Sequence, residues 1–308
     1  MPNRHIKFLG VFLCAFPGVI AAAWPGHANP QLSPGSGTLK VQTGAAADSS
    51  AINVWYHLPS ETGADVPVVF IMHGVNRNAR DYRDNWITAA DRGRFLILAP
   101  EFSKADYPKS RGYNLGNIKD KSGQPNPRPA WSFSVIEKIF TDVTTANRLQ
   151  AKRYDIFGHS AGAQFVHRML FFLPEARVRR AVFANAGWYT VPDRSIAYPY
   201  GLGGAPLGQH ALEQAFNLDA VILLGTHDTD PDARHLRQTP EAVAQGPHRL
   251  ARGQYFYTRS RAIAEALQTP FRWHLERAEG IGHDNAGMVP FAQPFLGRPL
   301  AANDKKPH

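Results

Sequence analysis

The chain has 308 residues, of which 44% are hydrophobic, 11% aromatic and 19% charged. That balance excludes a disordered tail protein and is enough for one large core. The net charge of +9 comes from scattered side chains such as Arg77, Arg80, Arg83, Arg92 and Arg94, with no basic run of five. No nucleic-acid-binding stripe is therefore expected.

Arg4, His5 and Lys7 precede an apolar run from Phe8 to Phe16, which Pro17 and Gly18 interrupt. Small-residue cleavage positions follow at Ala21-Ala22-Ala23 and at His27-Ala28. Residues 1–28 read as a secretory signal, too short and broken to span a bilayer well. Export to the periplasm or beyond is expected, with no stable membrane insertion after the signal is removed. A retained apolar anchor and a lipid-modified Cys14 are the alternatives. Cys14 is the only cysteine. Its loss with the signal leaves no disulfide, no thiolate metal site and no cysteine nucleophile. Removing Arg4 and Lys7 also lowers the charge to +7.

Residues 29–38 belong to a Pro-, Gly- and Ser-rich lead-in that reads as flexible, 39–297 as one catalytic domain, and 298–308 as a flexible tail. Leu39–Thr43 and Ala51–Leu58 read as a strand hairpin. Val68–Met72 is a continuous apolar run suited to an interior strand covered on both faces. A helix over Asp81–Asp91 leads to a buried strand at Phe95–Ala99. Residues 103–130 are polar and rich in Gly, Pro and Asn, a long loop of the kind that is functional or mobile. A helix is predicted over Phe133–Leu149, a strand over Tyr154–Phe157, a helix over Ala161–Leu173 and a strand over Arg180–Ala184. Ala186–Asn217 reads as a second irregular stretch. The chain closes with a strand at Ala220–Leu224, a helix at Gln254–Leu267 and a strand at Phe271–Glu276. Alternating strands and helices imply a mainly parallel sheet between helical layers, with its site at the carboxyl ends of the strands.

Catalytic residues should therefore follow strands. Gly158-His159-Ser160-Ala161-Gly162 places a serine in a tight strand-to-helix turn, next to a helix N-terminus where negative charge is favoured. A serine hydroxyl needs a base and an acid that orients the base. His283, in Gly280-Ile281-Gly282-His283-Asp284, follows the last strand and is the candidate base. Three aspartates follow strand Ala220–Leu224. Asp228 is nearest the strand end and is preferred, with Asp230 and Asp232 as competitors. The oxyanion of acyl transfer needs fixed donors. The backbone N–H of Ala161 and that of Val75, in the loop His73-Gly74-Val75-Asn76, are the candidates. Trp188, Tyr189 and Trp131 are candidate substrate contacts, with Tyr113 and Asn114 behind them. His159 and His167 read as packing or pocket residues. No metal and no cofactor is called for.

On His73-Gly74, Gly158-His159-Ser160-Ala161-Gly162, Gly225-Thr226-His227-Asp228 and Gly282-His283, residues 37–297 resemble the α/β-hydrolase family, in its chain order Ser, Asp, His. Within it the chain is similar to exported esterases related to polyhydroxyalkanoate depolymerases and feruloyl esterases. The resemblance implies an α/β-hydrolase fold: a mainly parallel central sheet, helices on both faces and small loop insertions over the site. It also implies a serine-dependent carboxylic ester hydrolase working through an acyl-enzyme on a small-molecule, oligomeric or polymeric ester. A serine peptidase or amidase on the same fold is the alternative. Readings from other classes are a non-catalytic binding protein and a metal-dependent protein using His227, Asp228, Asp230, Asp232 and His235.

Overall fold

Strands that are apolar and buried at every position, as Val68–Met72 and Leu96–Pro100 are, must be covered on both faces, and the topology meets that demand. The computed structural model describes residues 30–43 and 51–298. The expected signal over 1–28 lies outside the described residues, as does the tail beyond 298. The elements in chain order are β1 (Gly35–Gln42), β2 (Ala51–Leu58), β3 (Val68–Met72), α1 (Ala79–Gly93), β4 (Leu96–Pro100), α2 (Lys109–Gly112), α3 (Ser132–Ala146), β5 (Tyr154–His159) and α4 (Ala161–Phe172). Then follow β6 (Val178–Ala184), α5 (Gln209–Asn217), β7 (Asp219–Gly225), α6 (Pro240–Val243), α7 (Arg249–Ala266), β8 (Trp273–Ala278) and α8 (Asn285–Ala292).

The eight strands form one sheet in the order β1-β2-β4-β3-β5-β6-β7-β8. The first two pairings, β1 with β2 and β2 with β4, are antiparallel, and every later pairing is parallel. Alternation along β3 shows how the layers divide. Val68, Phe70 and Met72 join the core beneath α3, α4, α5 and α7, whereas Val69 and Ile71 join the core beneath α1 and α8. Every residue of α4 is buried, in keeping with its place against the central strands β3, β5 and β6.

Several boundaries and four helices, α2, α5, α6 and α8, differ from expectation. β1 begins at Gly35 and so takes in four residues of the predicted lead-in. The stretch read as irregular to Asn217 ends in α5. Helix α8 follows His283 with Pro290 inside it and was not predicted, because it lacks helical apolar spacing. The 103–130 insertion is tied down rather than loose. Arg77 reaches under it and donates to the carbonyls of Phe102, Tyr107 and Lys109. Among the described residues no helix is long and apolar enough to cross a membrane.

Candidate active site

Ser160 sits between β5 and α4 with φ 57° and ψ −116°, a backbone conformation that non-glycine residues rarely hold. The flanking glycines make the turn possible. A Cβ on Gly158 would collide with the Gly162 carbonyl, and one on Gly162 with the Met72 carbonyl of β3. The turn is pinned by Ser160 N–H donating to Ala184 O at 2.9 Å, so the hydroxyl is held at the carboxyl end of the sheet.

The His283 loop crosses the end of β7. His227 N–H donates to Ile281 O at 2.9 Å, and a Cβ on Gly225 would strike the same carbonyl. Asn185, the residue after β6, accepts from Gly225 N–H at 2.8 Å and donates to Gly282 O at 3.1 Å. One side chain thus ties the two loops together. Within this frame His283 Nδ1–H donates to Asp228 Oδ2 at 2.8 Å, since a carboxylate can only accept. That tautomer leaves Nε2 free to accept from Ser160 Oγ–H, 3.0 Å away.

Asp228 is 3% exposed, and Arg249 Nη1 donates to its second oxygen at 3.2 Å. Asp230 is exposed instead and accepts from Asp232 N–H, closing a local turn. Asp284 caps α8 by accepting from Ala286 and Gly287 N–H. Among the described residues no three His, Asp or Glu side chains gather as a metal-holding group.

The candidate oxyanion donors stand beside the serine. A Cβ on Gly74 would lie 3.7 Å from Ser160 Cβ. The Tyr82 hydroxyl packs against Gly74, where a Cβ would lie 2.8 Å from it, and bonds His159 Nδ1 at 3.1 Å. The N–H groups of Val75 and Ala161 have no acceptor among the described residues. His73 is buried below this loop, stacked on Tyr113 with ring centroids 4.7 Å apart. Burial pulls its imidazole down to about 3, so the ring is neutral. Its Nδ1–H donates to Gly74 O and its Nε2 accepts from Phe102 N–H. His159 packs against His283 with centroids 4.6 Å apart and is likewise held well below the usual range, first by burial and then by His283.

The candidate substrate contacts separate. Tyr189 is fully buried, stacks on Phe256 at 4.5 Å and has both backbone groups bonded to Gln245, so it is core rather than pocket wall. Trp131 anchors the 103–130 insertion: its indole N–H donates to Asn126 O and its ring meets Phe172 edge-on. Trp188 is 3% exposed beneath two arginines. Asn114 donates to Gln164 Oε1 at 2.6 Å, one turn from Ser160. Sequence reasoning missed Arg249 and Asn185. A strand-end rule applied to every polar residue would have found Asn185; nothing in the local sequence marks Arg249.

No protein-family model matches the chain, and no curated protein does. Solved structures do. Poly(aspartic acid) hydrolase-1 from Sphingomonas sp. KT-1 is 45% identical, with 86% of this chain and 99% of that chain aligned and a TM-score of 0.83. LpqC, a poly(3-hydroxybutyrate) depolymerase from Bordetella parapertussis, is 33% identical over 88% of this chain and 94% of that one, with a TM-score of 0.80. The siderophore hydrolase EstB from Aspergillus nidulans shares the fold, with 14% identity, 87% of this chain and 96% of that one covered, and a TM-score of 0.51. On this likeness and the eight-stranded sheet, the chain belongs to the α/β-hydrolase family, alongside its depolymerase and esterase members.

Proposed function

We propose that the protein is a serine-dependent acyl hydrolase that cleaves carboxylic esters through an acyl-enzyme. In this reading Ser160 attacks the carbonyl, and His283 takes the proton and returns it to the leaving group. Asp228 holds the imidazole with Nε2 toward the serine. The N–H groups of Val75 and Ala161 receive the oxyanion. The observation that carries the reading is the unbroken bond chain from Ser160 Oγ to His283 Nε2 and from His283 Nδ1 to Asp228, at 3.0 and 2.8 Å. Val75, 42% exposed, makes an apolar lip at the oxyanion loop, which suits an open site and an oligomeric or polymeric chain.

A second reading has one specific support. Poly(aspartic acid) is a polyamide bearing carboxylates, and the 45% identity to a hydrolase of that polymer favours amide cleavage by the same residues. Both readings share a covalent serine intermediate. A fluorophosphonate should label the native protein and fail to label Ser160→Ala. The variant should lose at least a thousandfold in turnover of nitrophenyl esters while keeping its circular dichroism spectrum. Labelling of the variant, or near-native turnover, sinks both readings. Matched ester and anilide substrates then decide between them.

A further inference from the structure

Arg168 lies two turns along α4 from Ser160 on the same helical face, with Gln164 between them. It is fully buried. Its Nε donates to Thr190 Oγ1 at 2.7 Å, and Nη1 donates to the carbonyls of Gln164 and Asn114 at 2.9 and 3.2 Å. Nη2 is buried with no acceptor. The guanidinium lies over the Trp188 indole, 4.2 Å from its centroid. The same indole carries a second guanidinium, that of half-buried Arg237, at 4.8 Å. Among the described residues Arg237 makes one hydrogen bond, from Nη1 to the Tyr200 hydroxyl at 3.2 Å. Among the described residues neither arginine has a carboxylate within ion-pair distance.

Hydrogen bonding explains the position of Arg168, because its donors tie both insertions to α4. It does not explain the charge. Two cations on one ring, one of them out of water and with a bare donor, form an unfavourable arrangement until a counter-charge arrives. Burial, with Arg237 adding repulsion, brings the Arg168 guanidinium down to about 9. The cluster is joined to the serine end of α4 through Gln164, whose carbonyl accepts from Arg168. A Cβ on Gly187, the residue before Trp188, would stand 3.3 Å from Gln164 Nε2, one turn from Ser160. Arg237 sits on the β7–α7 connection that carries Asp228. The 103–130 insertion has six basic and two acidic side chains, which adds a field that draws anions to this end of the sheet.

We propose that the Arg168–Trp188–Arg237 cluster is a specificity site that receives a carboxylate on the acyl portion of the substrate, so that anionic acyl chains are selected over neutral ones of equal length. The proposal rests on the hydrolytic reading above and names its substrate class. Arg237, the more accessible of the two, makes the contact as a planar fork suited to a carboxylate. Arg168 lies behind it and strengthens the attraction, and the indole fixes both.

The test compares kcat/KM for mono(4-nitrophenyl) succinate and 4-nitrophenyl valerate, which share a leaving group and nearly share acyl length. The native protein should favour the succinate, and Arg237→Gln should lower that ratio about tenfold through the KM of the succinate. Arg237→Lys should keep most of the ratio, and Arg92→Gln, an exposed change on α1, should keep all of it. A merely structural role would move both substrates together. A native ratio below one, or an Arg237→Gln ratio within twofold of native, overturns the proposal. Calorimetry needs no turnover: Ser160→Ala should bind poly(aspartate) more weakly as salt rises, and adding Arg237→Gln should cost about tenfold more. Equal binding overturns the anion site even if fluorophosphonate labels Ser160. Loss of binding in the double variant without any labelling keeps the anion site and removes the hydrolytic reading.

Discussion

At the residue scale, Ser160 shows what a short motif can encode. Its positive φ, and the collision that a Cβ on Gly158 would meet at the Gly162 carbonyl, lie within Gly-x-Ser-x-Gly itself, whereas the Gly162 collision also needs β3 alongside. The choice among three aspartates was less legible, because all three follow β7 within seven residues. Geometry separates them: Asp228 turns inward to His283 and Arg249, whereas Asp230 caps a turn in solvent. Asp228→Asn should therefore cut turnover by about four powers of ten, because an amide no longer enforces the imidazole tautomer. Asp230→Asn should stay within about threefold, since an amide oxygen still accepts from the Asp232 N–H. Steady-state kinetics on the two variants checks this, and a larger loss at Asp230 would reverse the assignment. Arg249 has no sequence signal because its link to Asp228 spans 21 residues and depends on how α7 docks.

At the element scale, legibility followed burial on both faces. The run Val68–Met72 is readable because a strand covered on both sides carries no polar letter to blur it, whereas Tyr154–Phe157 carries one, Asp155, buried in an ion pair with Arg179. Helix α7 was read from Gln254 and begins at Arg249. Its first turns bury Arg249 and Arg252 and contain Gly253, which together hide any apolar stripe. Gly253 has a packing reason: a Cβ there would run into the Leu224 side chain of β7. Helix and strand therefore touch backbone to side chain just before the Asp228 loop, and Leu250 N–H donates to Asp228 O at 3.2 Å. Gly253→Val should lift α7 from β7, costing about 1–3 kcal/mol by overpacking. It should also lower turnover, because the displaced helix carries Arg249. Urea unfolding and kinetics on one preparation test the coupling; a full stability loss with native turnover would show that the Asp228 loop does not depend on α7.

At the scale of the whole molecule, the carboxyl ends of the strands are held by neutral imidazoles. His73 and His167 each donate Nδ1–H to a carbonyl, Gly74 O and Ala163 O, and each accepts a backbone N–H at Nε2, from Phe102 and Thr190. A proton added at Nε2 would break the accepted bond inside a dry core, so burial depresses both rings, as it does His159. In the unfolded chain all three titrate near 6.5. As pH falls below that value the unfolded state takes up protons that the folded state refuses, so stability is present above about pH 6.5 and drains away below it. For His73 the loss continues to its folded value of about 3. Each ring contributes up to about 1.4 kcal/mol per pH unit once its unfolded form is fully protonated. Urea midpoints should thus fall steadily from pH 6.5 to pH 5, before most carboxylates titrate. His167→Gln, whose amide can supply one donor and one acceptor, should remove about one third of that slope while lowering stability at pH 7.5. A midpoint that stays flat across this range would mean that these rings accept protons in the folded state, and that the loops around Ser160 are not locked by neutral histidines.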